Sequence, residues 1–252
     1  MGGKYNWEEL INDINRLVKL KASPVGLKVL ENKEELDNFP KLRRYKTDKK
    51  YYACQFIGQA ARLNFAIGFT VENLAVAQCA GVLGFVPKDV MESAKNLTGV
   101  WFENAEATLA HQKTMCTAPN KYEAAVVAPL SKGVIDEPDV CLFYGTPGQI
   151  ILMINGLQHK TFERVDCSVV GESTCSDAWG RTLSTGKPGA TIPCYGERRF
   201  GGIPDEEMVL CLKPHHIPMV IEGLEWLYKN GIRYPIIQHG PLNSVIDTFC
   251  KQ

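Results

Sequence analysis

The sequence lacks an excess of charge of either sign: Lys+Arg and Asp+Glu both number 28. Overall charge therefore selects neither nucleic acid nor an anionic membrane surface as a partner. No stretch approaches the roughly 18 consecutive apolar residues of a membrane span. Glu8 and Glu9 stand where a secretory signal carries its apolar core, and Asn6 stands where a myristoylation signal needs Ser or Thr. These absences predict a cytoplasmic protein. Also missing are GxGxxG, a Walker A loop, GxSxG, HExxH and any CxxC pair. Histidines number only five. No Pro/Ser-rich linker interrupts the chain, so residues 1–252 are expected to form one domain. At 252 residues it buries about 70–75% of its unfolded surface and needs no disulfide staples.

What is abundant is cysteine, at nine residues. In a reducing compartment these are not a disulfide framework, and an odd count leaves one unpaired. They are small buried hydrophobes, reactive thiols, or ligands of a metal or an iron–sulfur cluster.

Periodicity predicts the elements. Trp7, Leu10, Ile11, Ile14, Leu17 and Val18 recur at helical spacing, with Asn6 and Glu9 placed for a capping box. Alternation over Pro24 to Leu30 predicts a strand. A helical face covers Ala53 to Phe65. Leu74 to Ala77 reads as a short buried strand running into a glycine turn, followed by a long helix from Asp89 to Gln112. Ala124–Ala128, Asp139–Tyr144, Asp166–Val170 and Met208–Leu212 read as strands. Thr146, Pro147 and Gln149 form a helix start, and Pro218 to Lys229 is amphipathic, stopped by Asn230-Gly231. The glycine-rich stretch around 171–202 reads as a long functional loop. Alternating strands and helices predict an α/β (or α+β) class with a mixed sheet flanked by helices.

Context sorts the cysteines. Cys141 and Cys211 lie within apolar strand runs and read as core residues. Cys250 lies at the chain end with no evident role, and Cys116 lies in a loop. Cys54, Cys79, Cys175 and Cys194 fall instead at helix openings, strand ends and glycine-rich turns, where backbone freedom lets distant thiols converge. Four thiolates satisfy an iron–sulfur cluster or a tetrahedral zinc. Spacing alone does not decide it: Cys54 and Cys79 are 25 positions apart, and Cys175 and Cys194 are 19. The adjacent His215 and His216 suit a helix entry better than a shared ion, and the basic run from Lys41 to Lys50 suits a solvated loop.

Around these cysteines the sequence resembles the DUF169 family, an uncharacterised group common in anaerobic bacteria and archaea. The resemblance runs through Cys54-Gln55 with Ala61-Arg62, Cys79-Ala80-Gly81 with Leu83-Gly84-Phe85, Thr146-Pro147-Gly148-Gln149, Cys175, and Pro193-Cys194-Tyr195-Gly196-Glu197-Arg198. It implies that Cys54, Cys79, Cys175 and Cys194 are the family's typical cysteines and that 1–252 is one DUF169-like domain; apart from the resemblance, Cys167, in Asp166-Cys167-Ser168 near the Gly-rich segment, or Cys116 could replace one of them. An anaerobic distribution favours a 4Fe-4S cluster, with zinc as the alternative.

The function expected is an iron–sulfur protein of anaerobic metabolism. Four ligands make a closed, electron-transferring centre, an oxidoreductase function. Three ligands leave an iron open as a Lewis acid, a dehydratase-type lyase acting on a small carboxylate or hydroxylated substrate. Arg198, with its neighbour Arg199, and Arg62 are candidates to hold a substrate carboxylate or tune the centre; a salt bridge or a solvated surface is the plain alternative for each. Gly81, Gly84, Thr146 and Gly196 are candidates to cradle a cofactor. Expected partners are a small-molecule substrate or a redox protein, with a homo-oligomer left open. The alternative from another class is a non-catalytic small-molecule or redox-sensing domain. Thiol chemistry at Cys194 or Cys79 ranks last, because no Cys–His pair is visible.

Overall fold

A computed structural model describes residues 4–237. Cys250 and His239 lie outside the described residues. The centre is a seven-stranded sheet of β1 (Val25–Leu30), β2 (Arg43–Arg44), β3 (Ile67–Thr70), β4 (Ala124–Pro129), β5 (Val140–Gly145), β6 (Gly189–Thr191) and β7 (Met208–Leu212), in the order β2-β3-β4-β1-β5-β7-β6. Only the edge pair β2–β3 is parallel; the other neighbours run antiparallel. The sheet is thus mixed, as expected.

Antiparallel sheets often leave one face wet. Here both faces are covered, so β4 and β5 are buried along their whole length. Period-2 alternation divides the side chains between two cores. Cys141, Phe143, Leu210 and Leu212 pack on α1 (Trp7–Val18), α6 (Pro147–Thr161) and α9 (His216–Lys229). Val140, Leu142, Tyr144, Val209 and Cys211 face the other way, toward α2 (Ala53–Leu63), α3 (Ala77–Val82) and the segment holding Trp179. Short helices α4 (Lys88–Glu92), α5 (Ala105–Thr114), α7 (Arg181–Thr185) and α8 (Tyr195–Gly201), with a few 3-10 and π turns, fill the connections. No helix among the described residues is long and apolar enough to cross a membrane.

The helix caps behave as their sequences demand. The Asn6 side chain accepts the Glu9 N–H at 3.4 Å, and Thr146 and Gln149 cap each other reciprocally at the start of α6. His216 opens α9, its Nδ1 accepting the Lys213 N–H at 3.3 Å, and Asn230 closes that helix.

Four expectations are corrected, and three of the changes build the site. Leu74 to Ala77 is not a strand: Leu74 makes a single bridge to Tyr51, and Ala77 already begins α3, because a run this short holds no ladder of its own. The helix expected over 89–112 is broken between α4 and α5. Gly99 adopts a left-handed φ of +74° inside a tight turn, and Asn104 recaps the chain by accepting the Ala107 N–H. The stretch around 171–202 is not loop but a π-helical turn (Ser176–Gly180), α7, β6 and α8 in succession. Its glycines divide between left-handed turns, at Gly171, Gly186 and Gly202, and close packing: a Cβ on Gly189 would lie 2.6 Å from the Asp177 carbonyl oxygen. Asp166–Val170 contributes only one bridge, Cys167 to Ala190.

Candidate functional site: a four-cysteine cavity

On the α2 face of the sheet, Cys54, Cys79, Cys175 and Cys194 line one cavity of about 500 Å³. Four separate segments deliver them. Cys54 sits in the first turn of α2 and Cys79 within α3. Cys175 immediately precedes the π-helical turn, four residues before Trp179, so both side chains project from one helix face into the cavity. π-Turns inside helices frequently occur at functional sites. Cys194 occupies the N-cap of α8, a position usually held by Ser, Thr, Asp or Asn. Its sulfur does the capping, accepting the Glu197 N–H at 3.4 Å.

Glycine at a helix crossing brings two of these segments together. A Cβ on Gly58 of α2 would lie 2.0 Å from the Gly201 carbonyl oxygen of α8, and one on Gly201 would lie 3.0 Å from the Cys54 oxygen. Only bare backbone permits this approach, which seats Cys54 Sγ 4.0 Å from the Gly196 oxygen. Cys79 Sγ in turn accepts the Ala53 N–H at 3.5 Å.

Each of the four thiols interacts electrostatically with the other three. Burial, the largest influence, raises the pKa of all four; for Cys54 the negative charges of Glu197, Cys79 and Cys194 raise it further. For Cys79, burial takes the value to about 11 despite the Ala53 hydrogen bond. The thiols are therefore protonated at neutral pH unless a cation joins them. Binding one would release their protons. Among the described residues, no three His, Cys, Asp or Glu side chains stand as a ready-made site for one ion. The sulfurs surround a space rather than a point.

Beneath the thiols lies a buried carboxylate. Glu197 is 1% exposed, and one of its oxygens accepts the hydroxyl hydrogen of Tyr144 from β5. The other oxygen makes no hydrogen bond of normal geometry, although the Thr174 hydroxyl is close enough to favour the charged form. Burial pushes the Glu197 pKa up to about 7, against the opposing effect of the Tyr144 and Thr174 hydroxyls. Two more buried polar groups lining the cavity are unpartnered: the whole Gln78 amide and the Trp179 indole N–H. Unsatisfied buried groups are rare and costly, and several in one cavity mark a place where something binds.

The candidate arginines divide. Arg62 is not in the cavity; it pairs with the buried Glu207. Arg198 turns away as well, donating to the carbonyl oxygens of Pro204 and Glu207. Arg199 is the arginine that lines the cavity. Of the four proposed cradle residues, Gly196 lines it. Gly81 packs on Met91, and Gly84, at φ +74°, turns against the Pro119 carbonyl. Thr146 caps α6 on the opposite side of the sheet. Cys116 sits elsewhere, its N–H bonded to Ser176, and Cys167 is exposed beside β6. Sequence reasoning missed Gln78, Trp179 and the Tyr144–Glu197 pair. Only the adjacency of Gln78 to Cys79 offered a hint.

Over residues 13–223 the chain matches the family described as DUF169, uncharacterised ArCR. The chain belongs to the DUF169 family. It is also 25% identical over 214 residues to the uncharacterized protein MJ0308 of Methanocaldococcus jannaschii, an alignment covering 83% of this chain and 89% of that protein. No solved structure matches it.

Proposed function

We propose that this DUF169 protein binds an iron–sulfur cluster through Cys54, Cys79, Cys175 and Cys194 and uses it on a small carboxylate or hydroxylated molecule. One observation carries the reading: four cysteines from four distant segments line a single cavity. The donor set has the chemistry of a cluster site. The arrangement favours a cluster over one zinc ion. Four sulfurs bound to zinc at about 2.3 Å must crowd round a point, whereas a cluster interposes its own iron and sulfide atoms. The backbone N–H groups of Ala53 and Glu197, already directed at Cys79 and Cys194, lower the energy of charged sulfur. When bound, a cluster supplies electron transfer, or Lewis acidity if one iron is open.

The chain's own residues define the surroundings. The buried Glu197 sits beside the sulfurs and holds a proton near neutral pH, with Tyr144 fixing its orientation. Trp179, fully buried in the core of this face, forms part of the cavity floor.

Anaerobic purification tests the proposal. The expected product is brown, with iron and acid-labile sulfide in cluster stoichiometry, and Cys→Ser at any of the four positions depletes both. A colourless product containing zinc would make the site structural or hydrolytic. A colourless, metal-free product would favour a sensor or thiol role.

A further inference from the structure

The cavity has a floor and a rim of different chemistry. The floor holds the thiols, the Gln78 amide at 4% exposure and the fully buried Trp179. The rim is aromatic and solvent-facing. Trp101 (43% exposed) packs edge-on against Tyr195 at 5.4 Å, and Phe200 (42% exposed) stacks on Tyr52 at 4.7 Å. Trp101 reaches the rim through the break between α4 and α5. Exposed aromatic rings around a cavity are a binding feature rather than a packing one.

Arg199 stands among these rings. Its guanidinium lies 5.9 Å from the Tyr195 ring and 5.6 Å from the Phe200 ring, and it donates to the Tyr195 hydroxyl at 3.1 Å. Among the described residues it has no carboxylate partner, unlike Arg62 and Arg198. A guanidinium held between aromatic faces, with donors to spare, matches a carboxylate carried on a flat ring. At the floor, the Gln78 amide offers a donor nitrogen, Nε2, and an acceptor oxygen, Oε1, both unpartnered. Those two atoms suit a hydroxyl or carbonyl group, which is polar but uncharged.

We infer that the cavity binds an aryl carboxylate: its carboxylate on Arg199, its ring among Trp101, Tyr195 and Phe200, and a hydroxyl or carbonyl on Gln78. This names the substrate class of the proposed site and rests on that reading only in taking the same cavity as the active site. Binding itself needs no cluster.

The test uses 4-hydroxybenzoate as probe, titrated calorimetrically and by tryptophan fluorescence into the anaerobically purified full chain. Saturable binding with quenching is expected, and Trp101→Ala, an exposed substitution, removes most of the quenching. Arg199→Gln, also at an exposed position, weakens binding about tenfold, the scale of a charge-assisted contact, while Arg199→Lys recovers part of it. 4-Hydroxybenzyl alcohol, which keeps the ring without the carboxylate, binds weakly and equally to the parent protein and to Arg199→Gln. Gln78→Leu narrows the preference for 4-hydroxybenzoate over benzoate. Absence of saturable binding overturns the inference, as does equal affinity for the acid and the alcohol, or indifference to Arg199→Gln. The two readings fail separately. A brown protein that binds no aryl carboxylate keeps the cluster and loses the ligand; a metal-free protein that binds it does the reverse.

Discussion

The two faces of the sheet use the same packing device and fill it differently. On one face α6 and α9 cross so closely that a Cβ on Gly223 would lie 2.0 Å from the Gly156 carbonyl oxygen. On the other, α2 and α8 cross at Gly58 and Gly201 with the same clearance. Behind the first crossing stand Phe143, Leu210, Leu212 and Cys141, a hydrocarbon core with one inert thiol. Behind the second stand four thiols, a carboxylate, a phenol and an unpartnered amide. Tight helix crossing is therefore a general feature of this fold, and the chemistry depends on what is placed beneath it. The thiol face forgoes apolar burial and leaves polar atoms unsatisfied, each costing about 1–3 kcal/mol. Other buried polar atoms without partners are scattered, Asn15 Oδ1 of α1 among them, but the cavity gathers Gln78, Trp179 and Glu197 in one place, and such a concentration has a use there.

The sharpest way to break this comparison is to spoil both crossings. Gly58→Ala and Gly223→Ala each place a methyl group against backbone, which cannot rotate aside. Each is expected to cost about 3 kcal/mol or more, read from urea denaturation. Only Gly58→Ala should also strip iron and sulfide, because only that crossing seats Cys54 near Cys194. If Gly223→Ala lost as much iron at equal residual stability, the functional division between the faces would be wrong.

Next in size are the cysteines themselves. Serine at Cys54, Cys79, Cys175 or Cys194 should remove most of the iron. Cys141→Ser should keep it all while losing about 1–3 kcal/mol, since a hydroxyl replaces a thiol inside hydrocarbon. Cys211→Ser is the stricter control: Cys211 points to the thiol face and feels the charge of Glu197 but does not line the cavity. Iron loss in Cys211→Ser at full stability would add it to the ligands and change the count.

These contrasts also explain what was legible in the sequence. Strands β4, β5 and β7 announce themselves because burial on both faces demands unbroken apolar runs, and β1 does so by alternation around Lys28. The start of α6 is legible because capping is local chemistry, settled within four residues. The cysteines of interest were separable from Cys141 and Cys211 by their glycine-rich or helix-opening context. The rest of the site was hidden because it depends on contacts between remote segments. Nothing near Arg62 reveals that Glu207 will neutralise it, 145 positions away. Tyr144 reads as one more residue of a buried strand until α8 brings Glu197 to its hydroxyl. The helix break at Gly99, which carries Trp101 to the rim, is set by a left-handed turn and by Asn104 recapping the chain, neither of which a long helix over 89–112 anticipates.

A smaller effect belongs to the hydrocarbon face. His216 opens α9, and burial, the largest cause, together with His215 and Lys213, lowers its pKa to about 4. An unfolded histidine titrates near 6.5. Between those values the unfolded chain binds the proton and the native one does not, so stability is full above about pH 6.5 and falls as pH drops toward 4. His216 is only half-buried, so after screening the loss is about 1–2 kcal/mol. His216→Asn should flatten this part of the stability–pH curve. A curve unchanged by the substitution would place the acid sensitivity elsewhere.

The smallest effect separates local capping from cofactor binding. Thr146 Oγ1 accepts the Gln149 N–H at 3.3 Å, and Gln149 Oε1 accepts the Thr146 N–H at 2.8 Å. The Gln149 amide also donates to the carbonyl oxygens of Val18 and Lys19, tying the end of α1 to the start of α6. The Thr146 and Gln149 side chains are thus both engaged within the hydrocarbon face. Thr146→Ala should cost about 1 kcal/mol, as an ordinary N-cap does, with iron content and 4-hydroxybenzoate affinity unchanged. A variant that kept its stability yet lost either one would return Thr146 to the binding role suggested by its sequence motif, and the chemistry would then extend to both sides of the sheet.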